Sequence, residues 1–142
     1  MSIDLETCRA IIAAVRAEGE ARRLKPLTVA VLDAGGHVVA VEREDGASMS
    51  RFEIAFGKAY GALALGMGSR SLMARAEQQA YFVSAVGAAI GGALVPVPGG
   101  VLVRTADGEL LGAVGVTGDS SDNDEAAAVA GVAAVGLVAQ AE

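Results

Sequence analysis

A chain of 142 residues is long enough to bury a core without metal or disulfide support, and no linker divides it, so residues 1–142 are expected to form one domain. Eleven basic against seventeen acidic residues give a formal charge of −6 with no Lys/Arg cluster, which speaks against nucleic acid and anionic membrane as partners. Cys8 is the one cysteine, so an internal disulfide and a cysteine-based zinc site are excluded.

The chain starts Met1-Ser-Ile-Asp-Leu-Glu6, acidic and without a basic region leading into an apolar run, and a cytoplasmic location is expected on that ground. Leu5, Cys8, Ile11, Ile12 and Val15 then recur at helical spacing, with Ser2 or Asp4 as N-cap, and predict an amphipathic helix over about residues 4–23. Pro26 ends it. Leu27–Asp33 and His37–Arg43 are β-rich runs joined through Ala34-Gly35-Gly36, a hairpin signal. With Gly35-Gly36 as the two central turn residues, Ala34 opposes His37 and Leu32 opposes Val39.

Ser50-Arg-Phe-Glu53 reads as a capping box opening a helix to about Leu65, closed by Gly66. Ser69 can cap a short helix to about Gln79, and another turn or two fits Tyr81–Ile90. Three further strands are predicted at Ala93–Val97, Val101–Thr105 and Glu109–Thr117, separated by Pro98-Gly99-Gly100 and Asp107-Gly108. Asp122 and Glu125 open a last helix over about 123–140. The order α-β-β-α-α-β-β-β-α, with adjacent hairpins, predicts an α+β layer fold built on an antiparallel sheet.

Tyr81–Val103 is uncharged and long enough to cross a bilayer, but Pro96, Pro98 and the glycines at 87, 91, 92, 99 and 100 break it into pieces shorter than a span. It reads better as core. Ala126–Ala139 contains no polar side chain, and a helix apolar all round is covered on every side. With 53% hydrophobic residues, this predicts a homo-oligomer.

His37, the single histidine, can ligate haem iron or titrate near neutral pH, or it can simply begin its strand with one nitrogen bonded locally. Period-two alternation puts His37, Val39, Val41 and Arg43 on one face, an apolar strip bracketed by a histidine and an arginine. That suits a flat, partly anionic ligand as well as a core face with two polar ends. Arg43, Glu44 and Asp45 form a charged turn in which Arg43 can meet a carboxylate or phosphate. Lys58 lies more than about 100° from Phe52 and Phe56 on the helical wheel, away from the stripe Phe52, Phe56, Ala59 and Leu63. It reads as exposed, with Ile54 and Ala62 hinting at a partly covered surface. Gly57 in mid-helix implies that something packs close there. Asp119, Asp122, Asp124 and Glu125 lack the glycine and distal glutamate of a calcium loop, and capping accounts for them, so no metal is expected. Gly57-Lys58 fails as a phosphate loop, since Phe52 stands where the first glycine should be, and no serine has a nucleophile-elbow context.

Five segments occur in an order characteristic of one family: Asp33-Ala-Gly-Gly-His-Val-Val-Ala40, Arg43-Glu-Asp-Gly-Ala47, Gly57-Lys-Ala-Tyr60, Val95-Pro-Val-Pro-Gly-Gly-Val101 and Gly112-Ala-Val-Gly-Val-Thr-Gly118. Over roughly residues 4–139 the chain resembles the GlcG/HbpS family, which includes haem-binding HbpS-like proteins and the C-terminal domain of PduO-type cobalamin adenosyltransferases. The resemblance implies a profilin-like or PAS-like domain with a five-stranded antiparallel sheet, symmetric oligomers, and haem or a corrinoid as ligand. Two features depart from what an extracellular haem sensor would carry: no secretion signal is expected from the acidic start, and the first helix has no histidine.

If haem binds, His37 is the one imidazole available, with Tyr60, Met67 and Cys8 behind it. The leading expectation is a cytoplasmic, oligomeric module for haem, another tetrapyrrole or another small ligand, contacted by His37, Arg43 and Lys58. The alternative is a cofactor-free isomerase or lyase of small-molecule catabolism, with His37, Lys58 and Asp45 as acid/base groups in a subunit-interface pocket.

Overall fold

The computed structural model describes residues 2–142. The helix α1 (Leu5–Ala21) begins where the Asp4 carboxylate accepts the Thr7 amide at 2.7 Å, and it buries Cys8, Ile11, Ile12 and Val15 of the predicted stripe, while Leu5, in its first turn, is exposed. Strands β1 (Thr28–Asp33) and β2 (Val38–Arg43) form the hairpin. Three helices follow: α2 (Arg51–Leu65), α3 (Ser69–Gln78) and α4 (Ala80–Ala89). Strands β3 (Gly100–Arg104) and β4 (Leu110–Thr117), helix α5 (Ser121–Ala134) and strand β5 (Val138–Gln140) complete the chain.

The fold is the expected α+β, profilin-like arrangement: one five-stranded antiparallel sheet in the order β2-β1-β4-β3-β5. Helices cover both faces. Val29, Val31, Val101, Val103, Val114 and Val116 meet α1 and α5 on one side. On the other, Leu32, Leu102 and Ala113 meet Ala59 and Ala62 of α2. Because both faces are covered, β1 and β3 read as continuous apolar runs rather than alternating ones.

Two elements differ from expectation. Ala93–Val97 lies outside the sheet and is turned on itself, the Val97 amide donating to the Val95 carbonyl at 3.0 Å: Pro96 and Pro98 lack ladder donors, and the segment lies across α2, with the Val95 amide donating to the Gly57 carbonyl at 3.1 Å. A Cβ on Gly57 would sit 2.6 Å from Val95 Cγ2, so Gly57 is the close approach its mid-helix position implied. The fifth strand comes instead from the C-terminus. Gly136, at φ 77°, stops α5, and Leu137, Ala139 and Ala141 then turn toward the core with period two while β5 pairs with β3. The predicted extension of the last helix to residue 140 is corrected accordingly.

Candidate ligand-binding site

Residues 34–36 make a three-residue turn whose last member, Gly36, takes φ 85°. The Asp33 carboxylate organises it, with Oδ1 accepting the amides of Gly35 (2.9 Å) and His37 (3.0 Å). The His37 amide first of all, then that of Gly35 and the imidazole, hold the Asp33 carboxyl below the usual aspartate range. This loop has one residue more than the two-residue turn expected, so Leu32 opposes Val38 and a bulge follows between Val31 and Leu32. The predicted strip is therefore broken. Val39 packs beside Ala40 against the α1 side of the core, and His37, Val39, Val41 and Arg43 do not share one face.

His37 stands at the end of the molecule with its side chain 81% exposed and Nδ1 3.3 Å from Asp33 Oδ1. A carboxylate at one imidazole nitrogen fixes the ring and its tautomer and leaves the other nitrogen for a ligand. Tyr60 supports the turn from below: a Cβ on Gly36 would lie 2.8 Å from the Tyr60 ring. Tyr60 is the last rung of an aromatic row on α2. Phe52, Phe56 and Tyr60 follow at four-residue spacing, with ring centroids 5.8 and 5.2 Å apart, and all three are half-buried.

That row is not the buried stripe of α2. Ala55, Lys58, Ala59 and Ala62 are, because the helix backbone sits directly on β4, where a Cβ on Gly115 would collide with the Ala55 carbonyl. Lys58 is thus corrected from an exposed residue to a buried one, with its side chain 2% exposed. Its Nζ donates to the Val116 carbonyl at 2.9 Å and to Asp124 Oδ2 at 3.0 Å, and Asp124 Oδ1 accepts the Asp119 amide. Burial pushes the Lys58 ammonium below the usual lysine range, and the Asp124 carboxylate opposes that push. The carboxylate that Lys58 meets belongs to the protein's own α5.

Arg43 is exposed at the far end of β2, with no ion-pair partner among the described residues. Asp45 borders a shallow cleft with Arg16, Glu20 and Glu44, a cleft that His37 and Lys58 do not line, so the three acid/base candidates are not brought together within the chain. The acidic residues around the start of α5 are all engaged. Asp119 accepts three nitrogens, of Asn123, Lys25 and Ser120, which hold its carboxyl down at about 2, while Asp122 and Glu125 clasp Arg70. Among the described residues no cluster of three His, Cys, Asp or Glu is placed to hold a metal ion. Cys8 is buried and its thiol is pushed up to about 11 by burial. None of the helices among the described residues is long and apolar enough to cross a membrane.

An open antiparallel sheet faced by helices on both sides, with a carboxylate-held imidazole at its hairpin tip, defines the class: a small α+β domain with a candidate ligand residue presented to solvent. The chain belongs to the HbpS-like family, whose model, described as haem degrading protein HbpS-like, matches residues 3–133. Solved structures share the fold. A PduOC:heme complex superposes with a TM-score of 0.87 at 22% identity, covering 99% of each chain. The ORFY protein of Klebsiella pneumoniae gives 0.83 at 24% identity over 92% of this chain and 88% of its own. A double mutant of Streptomyces reticuli HbpS gives 0.80 at 26% identity over 95% and 88%. The comparison with curated protein sequences returned no match.

Proposed function

We propose that the protein is a haem-binding module and that His37 ligates the iron. The observation that carries this reading is the exposed imidazole with the Asp33 carboxylate 3.3 Å from Nδ1. A histidine that ligates a metal through one nitrogen commonly gives its other N–H to a carboxylate. The donor set therefore fits a haem iron, which His37 would hold and which, when bound, would supply a redox-active Lewis-acid centre. The half-buried rings of Phe56 and Tyr60, beside the same turn, offer flat apolar surface to a planar ligand. A relative of the same fold was solved as a heme complex, which favours haem over the corrinoid that the sequence resemblance also implied.

Arg43 is free to meet a haem propionate. Six residues of strand place its backbone about 20 Å from His37, so it reaches only a ligand lying lengthwise along β2 or one held by a neighbouring protomer. Lys58 is given no ligand contact, because its charge is already matched inside the core.

We also infer self-association. Of the wholly uncharged α4 only Val83 is buried, and Tyr81 is 74% exposed, which leaves apolar helix surface open to a second copy.

Titration with ferric haem, followed at the Soret band, tests the ligand assignment. His37→Ala is expected to weaken binding at least about ten-fold, and Asp33→Asn to weaken it by a smaller factor in the same direction. Equal affinity and an unchanged spectrum in His37→Ala would refute the assignment.

A further inference from the structure

We propose that a second, independent site binds a small oxyanion, the carboxylate or phosphate group of a soluble metabolite, in the cleft at the start of α2. The cleft encloses about 220 Å³ between Lys25, Gly46, Ser48, Arg51 and Gly118. That is below the roughly 300 Å³ at which pockets for drug-sized ligands begin, so it suits a phosphate or a short carboxylic acid and not a tetrapyrrole.

Its charge balance is what points to an anion. Arg51 is held in place by neutral partners alone: Nε donates to Ser48 Oγ at 3.2 Å and one terminal nitrogen donates to Thr117 Oγ1 at 2.9 Å. A guanidinium has five N–H donors, so three remain on a fork already fixed in orientation. Arg51 is also near enough to Lys58 to disfavour that residue's charge, a repulsion that a bound anion would relieve. Lys25 adds a second cation at the rim.

Of the carboxylates close by, Asp119 keeps its charge, which Lys25 feels, while its oxygens are taken by the amides of Lys25 and Ser120 and by the Asn123 side chain, so two cations face one anion and Arg51 is left unmatched. Glu44 accepts the Leu27 amide and pairs with Arg16. Asp45 borders the neighbouring cleft rather than this one. The Thr28 hydroxyl is the one buried side-chain polar atom among the described residues without a hydrogen-bond partner, and Thr28 pairs across the ladder with Thr117, whose hydroxyl holds Arg51. Gly118, at φ 147°, backs onto the Pro26 carbonyl so closely that no side chain fits, and this keeps the wall as bare backbone. A chain of net charge −6 thus keeps a local cationic recess whose fork matches a carboxylate or phosphate.

Calorimetric titration of the whole protein with inorganic phosphate and, separately, with succinate at constant ionic strength tests the site and tells the two anion sources apart. Saturable binding of at least one is expected, weakened roughly ten-fold by Arg51→Gln and by Lys25→Gln, the effect of losing one charge-assisted hydrogen bond. Arg9→Gln, an equal charge change on α1, should leave it unchanged. Lys25 is exposed, so its variant decides the matter even if Arg51→Gln folds poorly. Absence of a saturable isotherm with both anions, or equal affinity in Lys25→Gln, would overturn the proposal. Neither result bears on haem binding by His37.

Discussion

Lys58 and Asp124 are both buried and depend on each other. Removing one partner leaves the other charge uncompensated, so Lys58→Met should cost about 3–5 kcal/mol in chemical denaturation, while pairing it with Asp124→Leu should restore most of that loss. Asp119 sets an acid dependence. Its folded-state pKa of about 2 lies below the ordinary 3.8, so its stabilisation is complete above 3.8 and is lost as the pH falls toward 2. Denaturation midpoints of Asp119→Asn should accordingly vary less with pH over that interval than those of the parent protein. His37 was visible as a candidate because it is the one histidine. The role of Asp33 was not, since a side chain that caps its own turn leaves no periodic signal in the sequence.

Helix α2 buries a face other than the one its large apolar residues mark. Phe52, Phe56, Ala59 and Leu63 suggested the core stripe, yet of these Ala59 alone is buried, together with Ala55 and Ala62, because close helix–sheet contact needs small side chains on α2 and glycine on β4. Lys58 falls on that small-residue stripe and is buried with it. Gly57 marks the other close contact. Gly57→Ala should destabilise the protein by about 1–2 kcal/mol despite alanine's better helix propensity, since the new methyl meets Val95. Adding Val95→Ala should recover stability, a result that guanidinium titration of the three variants would check. The hairpin, α1 and the Gly66 helix stop were all legible, because caps, prolines and glycines carry their own local geometry. The C-terminal strand was hidden by composition: Ala, Val and Leu after Gly136 satisfy helix and strand alike, and only pairing with β3 decides between them.

For the whole molecule, the sheet is covered on both faces, while the His37 turn, the aromatic row and the apolar α4 remain on the periphery. Self-association should appear as a solution mass that is a multiple of the 14.1 kDa chain, and Tyr81→Glu should shift it toward the monomer in sedimentation equilibrium. Under the proposed function, the imidazole at the hairpin tip binds haem iron. Because the chain has one histidine, protein labelled with ¹⁵N-histidine and freed of any tag reports on that residue alone. The ferric haem complex should show a ¹⁵N hyperfine coupling to iron in electron–nuclear double resonance, absent from His37→Ala. A complex that forms at full stoichiometry without that coupling would contradict the account.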